Sequence, residues 1–263
     1  MNTLPEIILA GAKPILDDRP LKKRVGLIIL ATDHTTEPDF QRLVAGPAIA
    51  VYVARIHYAN PTTPENLRKM QPELTTGAGL ILPGETLDAV CYSCTSASAV
   101  IGEAEVRKAI QAAKPGVRVV TPTAAGVAGL RAIGAKRISL LTPYTVATTR
   151  PMVDYFARTG FEIANATCLG LSDDREMARI APHALAELAR STISPEADAL
   201  FISCTAVRAA LAAHEIEQAI GRPLVSSNLA TAWACGRLCG DERRRPEIAR
   251  LMTLPLPQGW DDA

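Results

Sequence analysis

The sequence predicts an α/β protein of two pseudo-symmetric lobes, each a four-stranded parallel sheet flanked by helices, with a site in the cleft between them. Three observations predict it. Short apolar runs of strand length alternate with amphipathic, Ala-rich segments of helical spacing, the pattern of βαβ units. The stretch DAVCYSCT at 88–95 returns without a gap as DALFISCT at 198–205, which sets Cys94 and Cys204 110 residues apart. The runs that open the two halves, RVGLII from Arg24 and RISLLT from Arg137, lie 113 residues apart, nearly the same interval.

Taken in order, residues 1–21 are proline-broken and aperiodic, and are expected as an extension lying over the domain. Residues 22–134 make the first lobe, with strands expected in RVGLIILA, AIAVYVARI, LDAVCYS and VRVVT. Residues 135–240 make the second, with strands in RISLLT, FEIANATCL, DALFIS and PLVSS. Continuous apolar runs of this length fit strands buried on both faces, as in parallel sheets. EVRKAIQAAK, PMVDYFART and REMARIAPHALAELAR have helical spacing and supply right-handed crossovers. PTAAGVAGLRAIG after the fourth strand resembles SSNLATAWACGRL after the eighth, and the last helix is expected to cross back to the first lobe. The tail, 241–263, holds three prolines and is expected to pack on the surface. Each lobe is Rossmann-like, so ligands belong at the carboxyl ends of its strands. A pseudo-twofold axis then brings Cys94 and Cys204 face to face.

Bulk properties narrow the function. With 263 residues, 48% of them hydrophobic, the chain can bury a proper core. A net charge of +1 gives no footprint for nucleic acid. VGLIIL, the longest apolar run, is strand-sized, so no membrane span is expected. The N-terminus lacks the pattern of a secretory signal, which points to a cytoplasmic protein. The six cysteines then read as thiols rather than a disulfide framework.

A thiol is mostly protonated at neutral pH, and a helix N-terminus lowers its pKa by offering free N–H groups and a positive dipole end. Cys94 and Cys204 each precede an expected helix. Thr95, Ser96 and Thr205 beside them form a nest for a carboxylate. One thiolate and one thiol can exchange a proton α to a carboxylate, as in a racemase. They can also add to a double bond and let it rotate, as in a cis–trans isomerase. Neither reaction needs a metal or organic cofactor. Cys91 and Cys94 spell a CxxC, but three residues apart on a strand places them on opposite faces. Cys235 and Cys239 lack partners for zinc and read as core, and Cys168 as structural.

Other strand ends supply further candidates. His34 in ATDHTTEPDF precedes Glu37-Pro38, a helix start with Thr36 as N-cap. Tyr144 occupies the equivalent turn of the second half and can reach a carboxylate or enolate oxygen. Asn60 is a turn residue before Pro61. Asp173 and Asp174 fill the matching loop, where Asp174 can cap the helix beginning REMARI. Ser226, Ser227 and Asn228 close the last strand.

These residues carry a resemblance. The paired SCT turns, the duplicated lobes and RVGLIILATDHTTEPDF resemble the aspartate/glutamate racemase superfamily, in its maleate cis–trans isomerase and arylmalonate decarboxylase branch. LATDHTTEPDF and LGLSDDREMARI resemble ectoine-utilization proteins. The resemblance spans about residues 22–240. It implies that Cys94 is the cysteine that adds to substrate and Cys204 its partner. It implies that Thr95, Ser96 and Tyr144 hold a carboxylate or enediolate oxygen, with Thr205 contributing a backbone amide. The decarboxylase has glycine in place of Cys94, so a cysteine favours two-thiol isomerisation. Maleate isomerases carry asparagine where this chain has His34 and Asp174, which favours a substrate with one carboxylate and one amino or acylamino group. The resulting expectation is a cofactor-independent racemase or epimerase acting on an intermediate of ectoine degradation. Alternatives are a maleate isomerase or arylmalonate decarboxylase-like enzyme, and a non-catalytic metabolite-binding protein. A homo-oligomer is expected on superfamily grounds.

Overall fold

The computed structural model describes residues 4–260. Its first half runs β1 (Lys23–Leu30), α1 (Thr36–Leu43), β2 (Ile49–Ile56), α2 (Pro64–Arg68), α3 (Glu73–Leu80), β3 (Ala89–Tyr92), α4 (Thr95–Ile101), α5 (Glu103–Ala113), β4 (Arg118–Val120) and α6 (Pro122–Ala132). The second half runs β5 (Arg137–Thr142), α7 (Val146–Arg158), β6 (Glu162–Cys168), α8 (Asp174–Ala178), α9 (Pro182–Thr192), β7 (Ala199–Ile202), α10 (Ala213–Ile220), β8 (Leu224–Ser226) and α11 (Ser227–Leu238). A 3₁₀ turn, Arg250–Thr253, follows.

Two parallel four-stranded sheets result, in the orders β2-β1-β3-β4 and β6-β5-β7-β8. Their registers also match: β1 meets β3 from Val25 opposite Ala89, and β5 meets β7 from Ile138 opposite Ala199. The repeated aspartate explains part of this. Asp88 Oδ2 accepts the Arg24 N–H at 2.9 Å, and Asp198 Oδ2 accepts the Lys136 and Arg137 N–H groups at 2.8 Å. Each carboxylate thus satisfies amides at the start of the neighbouring strand and pins its register. Val25, Leu27 and Ile29 of β1 face a large core shared by both lobes, while Ile28 and Leu30 face a smaller core of the first lobe.

The helices that follow β4 and β8 cross between the lobes. α6 packs on α11 and β8, and α11 packs on α1, β3 and β4. Gly126 permits the first crossing, because a Cβ there would stand 2.7 Å from the Phe201 ring.

Four expectations are corrected. The amino-terminal extension does not lie over the domain: Ile7, Leu9 and Ile15 are each more than 95% exposed. Positions 1–3 fall outside the described residues. The carboxyl tail is no surface strap, since Leu251 and Met252 are buried and the Trp233 indole donates to the Leu254 carbonyl at 2.8 Å. The segment REMARIAPHALAELAR forms two helices, because Pro182 lacks an N–H and starts α9 instead of continuing α8. No α-helix follows Cys204: residues 205–212 are turns, and α10 begins only at Ala213. Among the described residues no helix is long and apolar enough to cross a membrane.

Candidate active site

Cys94 lies two residues past β3 and N-caps α4 with extended backbone, φ −148° and ψ 108°. Cys204 lies two residues past β7 with φ +88°, a left-handed conformation that costs a residue with a Cβ roughly 1–3 kcal/mol. The duplicated sequence therefore makes two different turns. Bonds to two first-lobe residues and one to α11 hold the second one. The Thr205 hydroxyl donates to the Ser93 carbonyl at 3.2 Å, the Asn228 amide to the Thr205 carbonyl at 2.9 Å, and the Thr35 hydroxyl to the Ala206 carbonyl at 2.7 Å.

Both sulfurs line the same pocket, with Thr95, Ser96 and Tyr144, Asp174 and Thr205 among its other walls. The free space between the walls is a cavity of about 20 Å³, room for a single water. A small acid enters only if the walls part. Two loops form that side, joined where the Thr62 N–H donates to the Ser172 carbonyl at 2.7 Å.

Burial dominates the electrostatics. Desolvation pushes the Cys94 thiol up from 9.0 to about 11, opposed by the Ala97 N–H and the Ser96 hydroxyl and reinforced by Asp174 and Asp33. The Cys204 thiol rises to about 12, again chiefly by burial, although the Tyr144 hydroxyl and the Ala206 and Val207 N–H groups offset part of it. The expectation of a thiolate favoured by a helix end is thus corrected at both positions. At Cys94 the helix end is present and desolvation outweighs it; at Cys204 the helix end is absent. Burial also holds the Tyr144 phenol well above its usual range, so it is a neutral donor.

The remaining candidates divide. Thr95 donates its hydroxyl to Ser227 at 2.8 Å, and Thr205 spends its own on Ser93, so what both can offer a ligand is backbone N–H. Ser96 Oγ lies 3.9 Å from the Cys94 sulfur. His34 is exposed and lies outside the pocket lining. Its neighbour Asp33 lines the pocket instead, accepting the Thr35 and Thr36 N–H groups at 2.8 Å and the Thr36 hydroxyl at 2.7 Å. Asp33 therefore caps α1 in place of Thr36, and the spacing D-x-T-T is the signal that identifies it. At α8 the cap is Asp173, not Asp174. Asn60 is more than a turn residue: its amide donates to Asp174 at 2.8 Å and to Asp173 at 3.1 Å. Tyr58 and Met177 also line the pocket, and no periodicity marks them. Cys91 turns into the large core with Cys235, away from Cys94. Among the described residues no group of three or more histidine, cysteine and acidic side chains could hold a metal ion.

A family model described as arylmalonate decarboxylase matches residues 77–252. The chain belongs to the arylmalonate decarboxylase family. Relatives of this family member include the maleate isomerase of Nocardia farcinica, 29% identical over 241 residues, covering 88% of this chain and 95% of that one. The maleate isomerase of Geobacillus stearothermophilus is 24% identical over 225 residues, 80% of this chain and 89% of the other. Among solved structures, a Nocardia farcinica maleate cis–trans isomerase superposes with a TM-score of 0.79 at 25% identity, over 88% of this chain and 98% of that one. That protein is a variant with one cysteine replaced by serine, and it holds a covalently bound succinylcysteine intermediate. Arylmalonate decarboxylase superposes with a TM-score of 0.70 at 24% identity, covering 88% of this chain and 99% of the other. Of the relatives found by sequence, those aligned over 80% or more of this chain are isomerases, and this family member is an enzyme.

Proposed function

We propose that the protein is a cofactor-independent cis–trans isomerase of a small unsaturated carboxylate, with Cys94 as nucleophile and Cys204 as its proton partner. The observation that carries this reading is the pairing of two sulfurs, from equivalent strand ends, in one buried pocket beside a neutral tyrosine. The relatives named above favour double-bond isomerisation over proton exchange on an ectoine-derived amino acid, and the covalent cysteine adduct of the Nocardia enzyme supports addition.

The pair works with one proton between its sulfurs. Both sulfurs rest protonated; the reacting form is the one in which Cys94, with the α4 end behind it, has lost its proton to solvent and Cys204 keeps its own. The Cys94 thiolate bonds to one alkene carbon, and the π electrons move onto the other carbon and its carboxylate. Tyr144 and the backbone N–H groups at the two turns stabilise that enediolate. Cys204 donates its proton to the carbanionic carbon. The former double bond rotates, Cys204 takes the proton back, and the Cys94–carbon bond breaks to release the trans isomer. Atoms and charge are the same before and after.

The test combines turnover with trapping. Wild-type protein with maleate or its half-amide should give the trans isomer by proton NMR, and Cys94→Ala should abolish it. Cys204→Ser should accumulate a mass adduct on the Cys94 peptide. Turnover that survives Cys94→Ala would reject the mechanism.

A further inference from the structure

The pocket is lined by two carboxylates and by no lysine, arginine or histidine. Asp33 and Asp174 are each only 5% exposed. Asp33 is largely occupied in capping α1, whereas Asp174 is held for something else. Its Oδ1 accepts the Asn60 amide at 2.8 Å, and its Oδ2 accepts the Thr32 hydroxyl. Each carboxylate oxygen has a second lone pair, so both can accept another hydrogen.

No cation is bonded to Asp174 among the described residues, although the adjacent Arg175 feels its charge. Arg175 is closed on Asp173, with Nε 2.9 Å from Oδ1, and Arg55 is spent on the Asp33 carbonyl and Glu37. Among the described residues, Asp174 enters no salt bridge. A buried carboxylate without a cation is satisfied by hydrogen-bond donors, and the pocket side is where a further donor can come from. A second substrate carboxylate placed there would meet like charge from Asp174 and Asp33. An N–H donor would meet acceptors.

The chemistry chooses between N–H donors. Thiolate addition needs an alkene conjugated to electron-withdrawing groups. A carboxamide keeps that conjugation and offers two N–H bonds, whereas an ammonium group on saturated carbon offers no conjugation. We propose that Asp174, with Asp33, selects a half-amide: a cis-alkene with a carboxylate at one end and a carboxamide at the other. The carboxylate end faces the donors at the Cys94 and Cys204 turns, and the amide end faces Asp174. This assignment rests on the Cys94 addition proposed above, and it names the substrate class for that same site.

The experiment compares maleate with maleamate on the wild-type protein and on Asp174→Asn. Asparagine keeps the shape, can still accept from Asn60 and can donate to Thr32. Unfolding followed by circular dichroism confirms that the variant is folded. The wild type should show kcat/KM for maleamate about tenfold or more above that for maleate, and Asp174→Asn should narrow or reverse the ratio. A wild type that prefers maleate, or a ratio that Asp174→Asn leaves unmoved, overturns the assignment. If neither alkene is isomerised, the activity fails separately, and calorimetric binding of the saturated analogues decides the charge question. Tighter binding of succinamate than succinate sustains the role of Asp174. Equal or tighter binding of succinate overturns it.

Discussion

Cys94 sets two opposed effects against each other, and its reactivity with pH measures which one wins. The α4 N-terminus favours the thiolate by about 0.3–1 kcal/mol, up to roughly 2 in buried geometry. Full burial can move a pKa by several units the other way. The balance in this pocket raises the thiol from 9.0 to about 11, which thins the thiolate about a hundredfold at neutral pH. Alkylation by a neutral haloacetamide, followed as modified Cys94 peptide by mass spectrometry, reads this directly. Access to the closed pocket sets the absolute rate, but the pH dependence belongs to the thiol. The log of the rate should climb about one decade per pH unit from neutrality to about pH 10 without a plateau. Urea-denatured protein should level off near the ordinary thiol value of about 8.5. Asp174→Asn removes a charge that raises Cys94 and should move its curve to lower pH. A native-state plateau at or below about pH 8.5 would show that the helix end outweighs burial, and would refute the electrostatic reasoning.

The same shifts make the fold sensitive to alkali. Both thiols bind protons more tightly folded than unfolded, so their stabilisation is intact below pH 9.0 and is lost as pH rises through about 11 and 12. Each should contribute a fall of up to about 1.4 kcal/mol per pH unit in that window, and the double variant Cys94→Ala, Cys204→Ala should flatten it in urea titrations. Gly126→Ala drives a methyl group to 2.7 Å from Phe201, so it should cost about 1–3 kcal/mol by the same assay; no loss would mean that Gly126 does not sit against the Phe201 ring. Leu251→Ala opens space in the core against Gly129 and should cost about 2–5 kcal/mol, a loss that a surface tail would not produce. Asn228→Ala leaves the buried Asp39 without its amide donor and frees the Thr205 carbonyl; it should cost about 1–3 kcal/mol and reduce turnover by loosening the Cys204 turn.

Strands β1, β3 and β7 were legible as continuous apolar runs, because a parallel strand buried on both faces needs apolar residues throughout, whereas the edge strand β6 carries Asn165 and Thr167 and has no buried residue. The repeat also holds at the level of single bonds, since Asp88 and Asp198 perform the same strand-start bond in each half. The two sulfurs could be singled out because identical SCT sequences at matching intervals are rare as accident. The site's acidity was only half visible. Asp174 stood out, but Asp33 was passed over for His34, since a loop sequence does not say which of two adjacent side chains turns inward. The solvated ends of the chain misled in opposite ways. Apolar residues near the amino terminus stay exposed, while Leu251 and Met252 in the proline-rich tail are buried.

Composition and periodicity by themselves determined the class of fold, the duplication and the two thiols, because these depend on local pattern and on which residues must avoid water. Tertiary structure alone decided that one turn is a helix cap and the other a strained left-handed residue, for that choice rests on Ser93 and Thr35 of the first lobe and on Asn228 of α11. It alone decided the protonation of the sulfurs as well. A helix end is written in neighbouring residues, but desolvation depends on everything the fold packs around the group, and in this pocket desolvation is the larger of the two.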